Sequence, residues 1–533
     1  MTENFDVDVR ESPIWANMFG NVPVEYDDIE EYEYVEYLES NSQGGKPSAT
    51  QNRFVLYNRD VDPYLLFHKG FIQVRGYIAT AATIGTGGEV YYDASDDTGQ
   101  IAPCNLFNYA IWDSAELRME GSLVQKVDQP RLIGLVKHLT EYKPENEKTQ
   151  GTLSFFYKDT GDGSTSYRPI TTTTGSTTAN TYTLTGAVVT EEGKATKYIA
   201  VSGLADGAGK NLLDPASGLT LGVTSTTTST SFSYENDNYN EGFVKRRNRC
   251  IARGAATKKV FEFYLPLSDL FGFYENYNAP FRGMKHEITL YKNQDPNTYL
   301  HKGGLTAAGA FAIEKISMWI PRVKPSYEKL SDLTAKFESK AQSVLKWNDY
   351  RYEISNLINQ SSLSNQIRIG SLAGRPTYCY VFFQLNNTII GDQEENKNLF
   401  SNLTNAGNHG LSQLEMRINS HALPLQTFLL DFSDDNEDYL RAYLYLLESQ
   451  GKMLSDKTGM VISYEEFKKL YPIFVFDFTR IESRMYENIS ASELEVRWRL
   501  HAAAPDDYRC HVIIQHDRVA TMQAIDTKLM ITL

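Results

Sequence analysis

The two halves of this chain close in the same way. In the first, an aromatic run Phe261-Glu-Phe-Tyr-Leu-Pro266 is followed by Tyr274-Glu-Asn276, then by His286-Glu-Ile-Thr-Leu-Tyr-Lys292 and Ala312-Ile-Glu-Lys-Ile-Ser-Met-Trp-Ile320. In the second, Ile473-Phe-Val-Phe-Asp-Phe478 precedes Tyr486-Glu-Asn488, Glu493-Leu-Glu-Val-Arg-Trp-Arg-Leu500 and Cys510-His-Val-Ile-Ile-Gln515. The offset of about 210 residues is too long for a solenoid period and suits a duplicated β-domain. Two similar β-sandwiches without an evident constellation of reactive side chains read as a building block rather than a catalyst.

Period two dominates. Leu494, Val496, Trp498 and Leu500 alternate with Glu493, Glu495, Arg497 and Arg499, the pattern of a half-buried antiparallel strand. Ile316, Met318 and Ile320 alternate with Ser317 and Trp319, whereas Tyr378–Gln384 is continuously apolar and predicts a strand buried on both faces. Helical spacing is confined to a few segments. Gln129–Tyr142 is one; Asp438–Gln450 is another, behind Asp434 and Asp435 as candidate N-caps. Leu330, Leu333, Phe337, Ala341 and Val344 fall near one helical face after Pro321 and Pro325, so residues 322–348 read as a partly helical connector. From Thr160 to Asn240 the chain turns rich in Thr, Ser and Gly, with short apolar islands at Leu184, Val188, Val189, Ile199 and Val201. Thr and Tyr favour strands, so this segment is expected to be a small solvent-facing β insertion in the first sandwich, ahead of the strand at Phe261.

The 533 residues carry a net charge of −15, which argues against binding to a phosphate backbone as a main activity. Residues 25–39 alternate acid with Tyr, Val and Ile; they are expected to form a solvated or partner-seeking arm, or else a strand docked on a neighbour. The first residues show no basic and apolar leader, and no apolar stretch approaches the roughly 20 residues that span a bilayer. Cys104, Cys250, Cys379 and Cys510 stand far apart and read as reduced core or strand residues.

The search for chemistry yields little. His511 and His516 share one strand-like run, but a spacing of five puts them on opposite faces, and the nine histidines form no metal pattern. Gly203-Leu-Ala-Asp-Gly-Ala-Gly-Lys210 departs from a phosphate cradle at its first Gly and at Asn211. Asp159-Thr-Gly-Asp-Gly163 starts like a calcium loop, but Ile170 stands where the closing Glu is needed. The acidic run Asp431–Asp438 reads as a helix cap, and Lys245-Arg-Arg-Asn-Arg249 as a strand or rim, with nuclear import as the other reading. No catalytic, cofactor or metal residue is assigned.

Several pieces in order resemble the double jelly-roll major capsid proteins of Maverick/Polinton-type elements, adintoviruses and virophages, in the lineage of the adenovirus hexon. They are Ile111–Glu120, Leu265–Phe273, Gly283–Leu290 and Trp319–Pro325 in the first half. In the second they are Arg375–Gln384, Met416–Ser420 ahead of Pro424, and Tyr471–Phe478. The family's strand-ending Met-Pro-His reads Ile320-Pro-Arg322 here. The resemblance implies an all-β fold of two consecutive eight-stranded jelly rolls. The expected organisation is an arm at 1–50, a first jelly roll at 51–321 with a tower at about 150–242, the connector at 322–348, and a second jelly roll at 349–533. It further implies a non-enzymatic homotrimer with a pseudo-hexagonal outline, tiling the icosahedral capsid shell of a double-stranded DNA virus or virus-like element. Neighbouring capsomers, penton and minor capsid proteins would be its partners, with no cofactor, no direct nucleic-acid contact and no membrane insertion. The alternative reading is a β-sandwich carbohydrate-active enzyme with a fused binding module, its carboxylate pair not identifiable from sequence.

Overall fold

The computed structural model describes residues 29–42, 46–57, 64–80, 100–160, 172–174, 181–185, 212–213, 220–226, 230–232, 240–250, 259–303, 309–338, 342–370, 374–386, 399–404, 409–418, 421–433, 435–453, 459–479, 493–525 and 528–532. Eight long strands build the first half: β1 (Ile29–Leu38), β2 (Gln51–Leu56), β3 (Phe71–Thr80), β4 (Trp112–Met119), β5 (Ser122–Asp128), β6 (Phe261–Pro266), β7 (His286–Lys292) and β8 (Gly309–Pro325). Eight more build the second: β9 (Gln342–Ile354), β10 (Ser364–Ile369), β11 (Pro376–Leu385), β12 (Leu411–Ile418), β13 (His421–Leu429), β14 (Phe474–Asp477), β15 (Leu494–Leu500) and β16 (Tyr508–Ile525).

The sheet orders repeat. In the first half they are β1-β8-β3-β6 and β2-β7-β4-β5; in the second, β9-β16-β11-β14 and β10-β15-β12-β13. Adding eight to each number of the first pair gives the second. All these pairings are antiparallel, as in β7 against β4 from His286↔Met119 to Lys292↔Trp112. Each large sheet also has an accessory strand, from different places in the chain: Tyr64–Leu65, between β2 and β3, joins β8, and Lys528–Thr532, after β16, joins β16. Two four-stranded sheets faced together in this order are a jelly roll, and the chain holds two of them.

Alternation sets the faces. In β15, Leu494, Val496, Trp498 and Leu500 are buried, while Arg499 is exposed. Glu495 breaks the pattern by being buried too, because Arg368 and Arg497 meet its carboxylate at 3.0 and 2.7 Å. Cys379–Gln384 of β11 is buried on both faces, as its unbroken apolar run predicts. Between β4 and β5, Glu120 (φ 48°) and Gly121 (φ 84°) both take left-handed backbone, the geometry of a tight two-residue hairpin.

Some expectations change. The acidic alternation at 29–38 is neither a solvated arm nor a strand given to a neighbour. It is β1, an edge strand of the chain's own first sheet, paired with β8 from Ile29↔Pro325 to Leu38↔Ser317. The reason is charge complementarity: Lys315 and Lys324 on β8 meet Glu36 and Glu30 at 2.5 and 3.1 Å. The connector contracts as well. β8 runs to Pro325, the helix α4 (Tyr327–Glu338) carries Leu330, Leu333 and Phe337, and β9 begins at Gln342. Val344 lies in β9 with 68% of its surface exposed, not on the helix. Asp435 caps nothing, because residues 431–432 and 437–438 form a small hairpin ahead of the helix α5 (Leu440–Ser449), whose N-cap is Tyr439. Asp434 and residues 486–488 lie outside the described residues.

The Thr-rich insertion sits between β5 and β6. Its described residues form short strands in two small sheets, Thr181–Thr185 with Thr220–Thr226 and Leu212–Leu213, and Thr172–Thr174 with Thr230–Phe232. Val188, Val189, Ile199 and Val201 lie outside them. Its two ends are pinned together: Thr160 N donates to Asn240 Oδ1 (3.3 Å), and Glu241 N to Thr160 Oγ1 (2.9 Å).

Candidate functional site

With two sandwiches in one chain, the feature that decides what the molecule can do is how they are joined. The helix α1 (Pro130–Thr140), in the β5–β6 connection, is buried along its whole length. Its amphipathic spacing alone suggests one covered face; position explains the rest, since it is wedged between the halves. Lys137 Nζ donates to Glu275 at 2.9 Å and lies over the Tyr350 ring. At its C-terminal end, Lys452 Nζ from the second half donates to the carbonyls of Thr140 (2.6 Å) and Tyr142 (2.9 Å), where a cation suits the helix end.

A second cluster welds the sheets. Gln125 of β5 donates to Asp349 Oδ1 of β9 at 2.9 Å and accepts from the Phe273 amide at 3.1 Å. Arg518 of β16 donates to the Val124 carbonyl (2.8 Å) and to Asp349 (3.3 Å). Burial raises the Asp349 carboxyl and lowers the neighbouring His516 imidazole, so Arg518 and Gln125, rather than a charged His516, hold the carboxylate. Phe273 packs edge-on to Trp347 at 5.1 Å. The short helix α3 (Gly272–Asn276) presses so close to β9 that a Cβ at Gly272 would stand 2.0 Å from the Asn348 carbonyl oxygen. Further along, Lys158 pairs with Glu466 at 2.7 Å, and Tyr471 donates to the Asp159 carbonyl at 2.9 Å. The apolar core is continuous through the seam, from Phe54 to Ala520.

The residues weighed for chemistry are dispersed. His511 and His516 are both buried; His511 Nδ1 meets the Tyr352 hydroxyl at 2.8 Å, and His516 Nε2 stands 3.8 Å from Asp349. Asp159 gives its carboxylate to Arg246 at 2.6 Å. Lys245–Arg249 forms part of the helix α2 (Glu241–Cys250), not a strand. Arg246 is 1% exposed and also donates to the Pro103 and Tyr157 carbonyls, while Arg249 stacks over Phe155. Asp431 pairs with His409 at 2.9 Å. The four cysteines are free and buried, and among the described residues no three His, Cys, Asp or Glu side chains gather as metal ligands do. Residues 203–210 lie outside the described residues. The seam residues Gln125, Lys137, Asp349, Lys452 and Arg518 escaped sequence reasoning. The available signal was Lys137 directly after the apolar run Leu132–Val136 in the same helix.

The outer surface complements the seam. The strand β9 is covered by β5 and α3, whereas β1, its counterpart, presents Tyr32, Tyr34 and Leu38 exposed along an edge with which no further described strand pairs. At one end of the first sandwich the β3–β4, β5–β6 and β7–β8 connections meet: Gln100–Pro103 pairs with Leu300–Gly303, and Arg246 of α2 binds the Pro103 carbonyl.

Known proteins carry the same plan. A chain of the 3.5 Å cryo-EM structure of the Sputnik virophage matches with a TM-score of 0.52 at 10% identity, over 95% of this chain and 89% of that one. PBCV-1 VP54, as fitted into a reconstruction of the virophage Sputnik, gives 0.50 at 8% identity over 97% and 99%. The mavirus major capsid protein gives 0.44 at 11% identity over 96% and 92%. Such identities speak to fold alone. No curated protein matches significantly in sequence. The family model of the double jelly roll-like domain matches residues 216–520, and the chain belongs to that family.

Proposed function

We propose that this protein is a structural major capsid protein whose trimers form pseudo-hexagonal capsomers of an icosahedral shell enclosing double-stranded DNA. The observation that carries the reading is the strand order used twice, in sandwiches locked side by side by a buried seam. Two equivalent units per chain, taken three times around an axis, give six, and six-sided blocks tile a surface. The virophage origin of a matching chain and the residue-level resemblance to capsid proteins support the same reading. Function then resides in shape, and no catalysed reaction is assigned.

On this reading that edge of β1, with its exposed tyrosines, faces a neighbouring chain, since tyrosine is broad, stiff and half polar. The insertion, at the end where three connections meet, forms the outward tower, and penton and minor capsid proteins are further partners; the part of the expected 1–50 arm before Ile29 lies outside the described residues. The net charge of −15 disfavours direct contact with the packaged nucleic acid. The virion is its place of residence. Size-exclusion chromatography with light scattering, followed by negative-stain imaging, tests the proposal. A particle of three 60.4 kDa chains with a hexagonal base is expected. A monodisperse monomer with no threefold views would refute it.

A further inference from the structure

A cavity of about 380 Å³ opens along the seam, walled from the first half by Trp112, Gln129 and Arg131 and from the second by Tyr352, Arg509 and His511, among others. Among the described residues, no Asp or Glu belongs to its wall. What the wall does hold is donors. Trp112 is 1% exposed, and its Nε1 has no hydrogen-bond partner. Arg131 is 9% exposed; Nη1 donates to the Thr298 carbonyl at 2.6 Å, but Nε is unpartnered. His511 is 2% exposed and stacked on Phe382 at 5.0 Å. His511 Nδ1 meets the Tyr352 hydroxyl at 2.8 Å, and Nε2 on the other side of the ring lacks a partner. Arg509 Nε is a fourth such atom.

Helix geometry adds to the charge. The helix α1 starts in this wall; its N-cap Gln129 makes no side-chain cap bond, and its first turn holds no acid. Pro130 has no N–H and the Leu132 and Ile133 amides donate to the Gln129 carbonyl, so what the helix start adds is its positive end, with no acidic side chain in its first turn. Gln129 instead spends its amide on Asp113, at 2.9 Å. Buried donors without acceptors are rare in native proteins. Three around one cavity (Trp112, Arg131 and Arg509), with the unpartnered His511 Nε2 beside them and Asp113 already engaged by Gln129, point to an acceptor-rich ligand.

We propose that the cavity is a binding site for a small phosphate-bearing anion, gripped by one guanidinium from each jelly roll. Phosphate is favoured over carboxylate because it offers more acceptor oxygens in a tetrahedral spread, matching donors that come from several directions, and because guanidinium forks suit it. The volume lies in the range of small-molecule sites and exceeds what a lone phosphate fills. Such a ligand would tie the two halves together. The assignment goes beyond the capsid reading and does not depend on it.

The test is calorimetric titration of the full-length protein with inorganic pyrophosphate at constant ionic strength, with citrate as the carboxylate arm. Arg509→Gln is the primary variant, since Arg509 is only partly buried, and Trp112→Phe the second, removing a donor while keeping an aromatic ring. Saturable binding at one pyrophosphate per chain is expected, weakened about tenfold or more in Arg509→Gln. Citrate should bind about tenfold more weakly than pyrophosphate. Absence of saturable pyrophosphate binding to the wild-type protein would overturn the site. So would unchanged affinity in a folded Arg509→Gln protein, and equal affinity for citrate would overturn the choice of phosphate.

Discussion

Buried aromatic and imidazole side chains set much of the molecule's tolerance to change. Trp498 is 2% exposed, packs edge-on to Phe383 at 5.3 Å, and donates from Nε1 to the Tyr508 hydroxyl at 3.1 Å. Trp498→Asp would empty that space and place a charge where no cation waits. We expect a loss of at least about 4 kcal/mol and no soluble folded protein, read by expression and circular dichroism. A variant that folds normally would show that the β15 register is wrong. The histidines give the molecule a pH dependence. Burial lowers His138, His286 and His511 from 6.5 to about 3, and His301 well below 6.5. A base whose folded value is depressed stays neutral in the native state and takes up its proton on unfolding. Its contribution is complete above about pH 6.5 and is lost progressively as pH falls towards about 3. Each such histidine steepens the decline by up to ~1.4 kcal/mol per pH unit. Urea midpoints should therefore drop sharply between pH 7.5 and pH 5, well before the carboxylates titrate. Equal midpoints at the two values would show that these rings are hydrated.

At the scale of elements, the insertion and the edge strand behave differently. Because Thr160 and Asn240 hold each other, residues 161–239 can be replaced by a short Gly-Ser link without moving β5 or β6. Closing a shorter loop changes the free energy by only about 2 kcal/mol, in favour of folding. The excised protein should fold with a thermal midpoint within a few degrees of the parent, and a molten or insoluble product would show that the insertion is part of the core. Substitutions within Thr171–Thr177 should be smaller still in effect. The strands were legible in sequence because period two survives wherever one face meets the core, as in β15, and because β11 is buried on both faces. Duplication was legible because β6, β7 and β8 recur as β14, β15 and β16. The role of β1 was not legible, since acid alternating with tyrosine suits equally an exposed arm and an edge strand; only Lys315 and Lys324, nearly three hundred residues away, decide it. The Asp431–Asp438 run failed as a cap for a related reason: a short hairpin satisfies its backbone locally. The seam was hidden more deeply. Gln125 and Asp349 look like outward-facing strand residues, and nothing local tells which outward face meets the other jelly roll.

For the whole molecule, the seam determines whether the chain is one body or two beads. A linker of one helix would leave two independently stable sandwiches free to turn, and a block that tiles needs a fixed angle between them. Here the angle is fixed by groups that cannot separate cheaply. Parting the sheets would strand Gln125, Asp349 and Lys452, each hydrogen-bonded across the seam, and would break the Lys137–Tyr350 and Phe273–Trp347 contacts. Cooperative unfolding follows as a consequence, because the apolar core runs on through the seam and the polar cluster couples the two halves. Asp349→Ala tests this most directly. It removes the acceptor shared by Gln125 and Arg518 while leaving both jelly-roll cores untouched. The loss should be about 2–3 kcal/mol, less than for a fully buried ion pair because Arg518 is 34% exposed. The wild-type protein should melt in one calorimetric transition, and the variant in two, with proteolysis entering first at the helix Tyr327–Glu338. If the variant melts once, at the parental temperature, the apolar contacts alone join the halves and the polar cluster only sets their register.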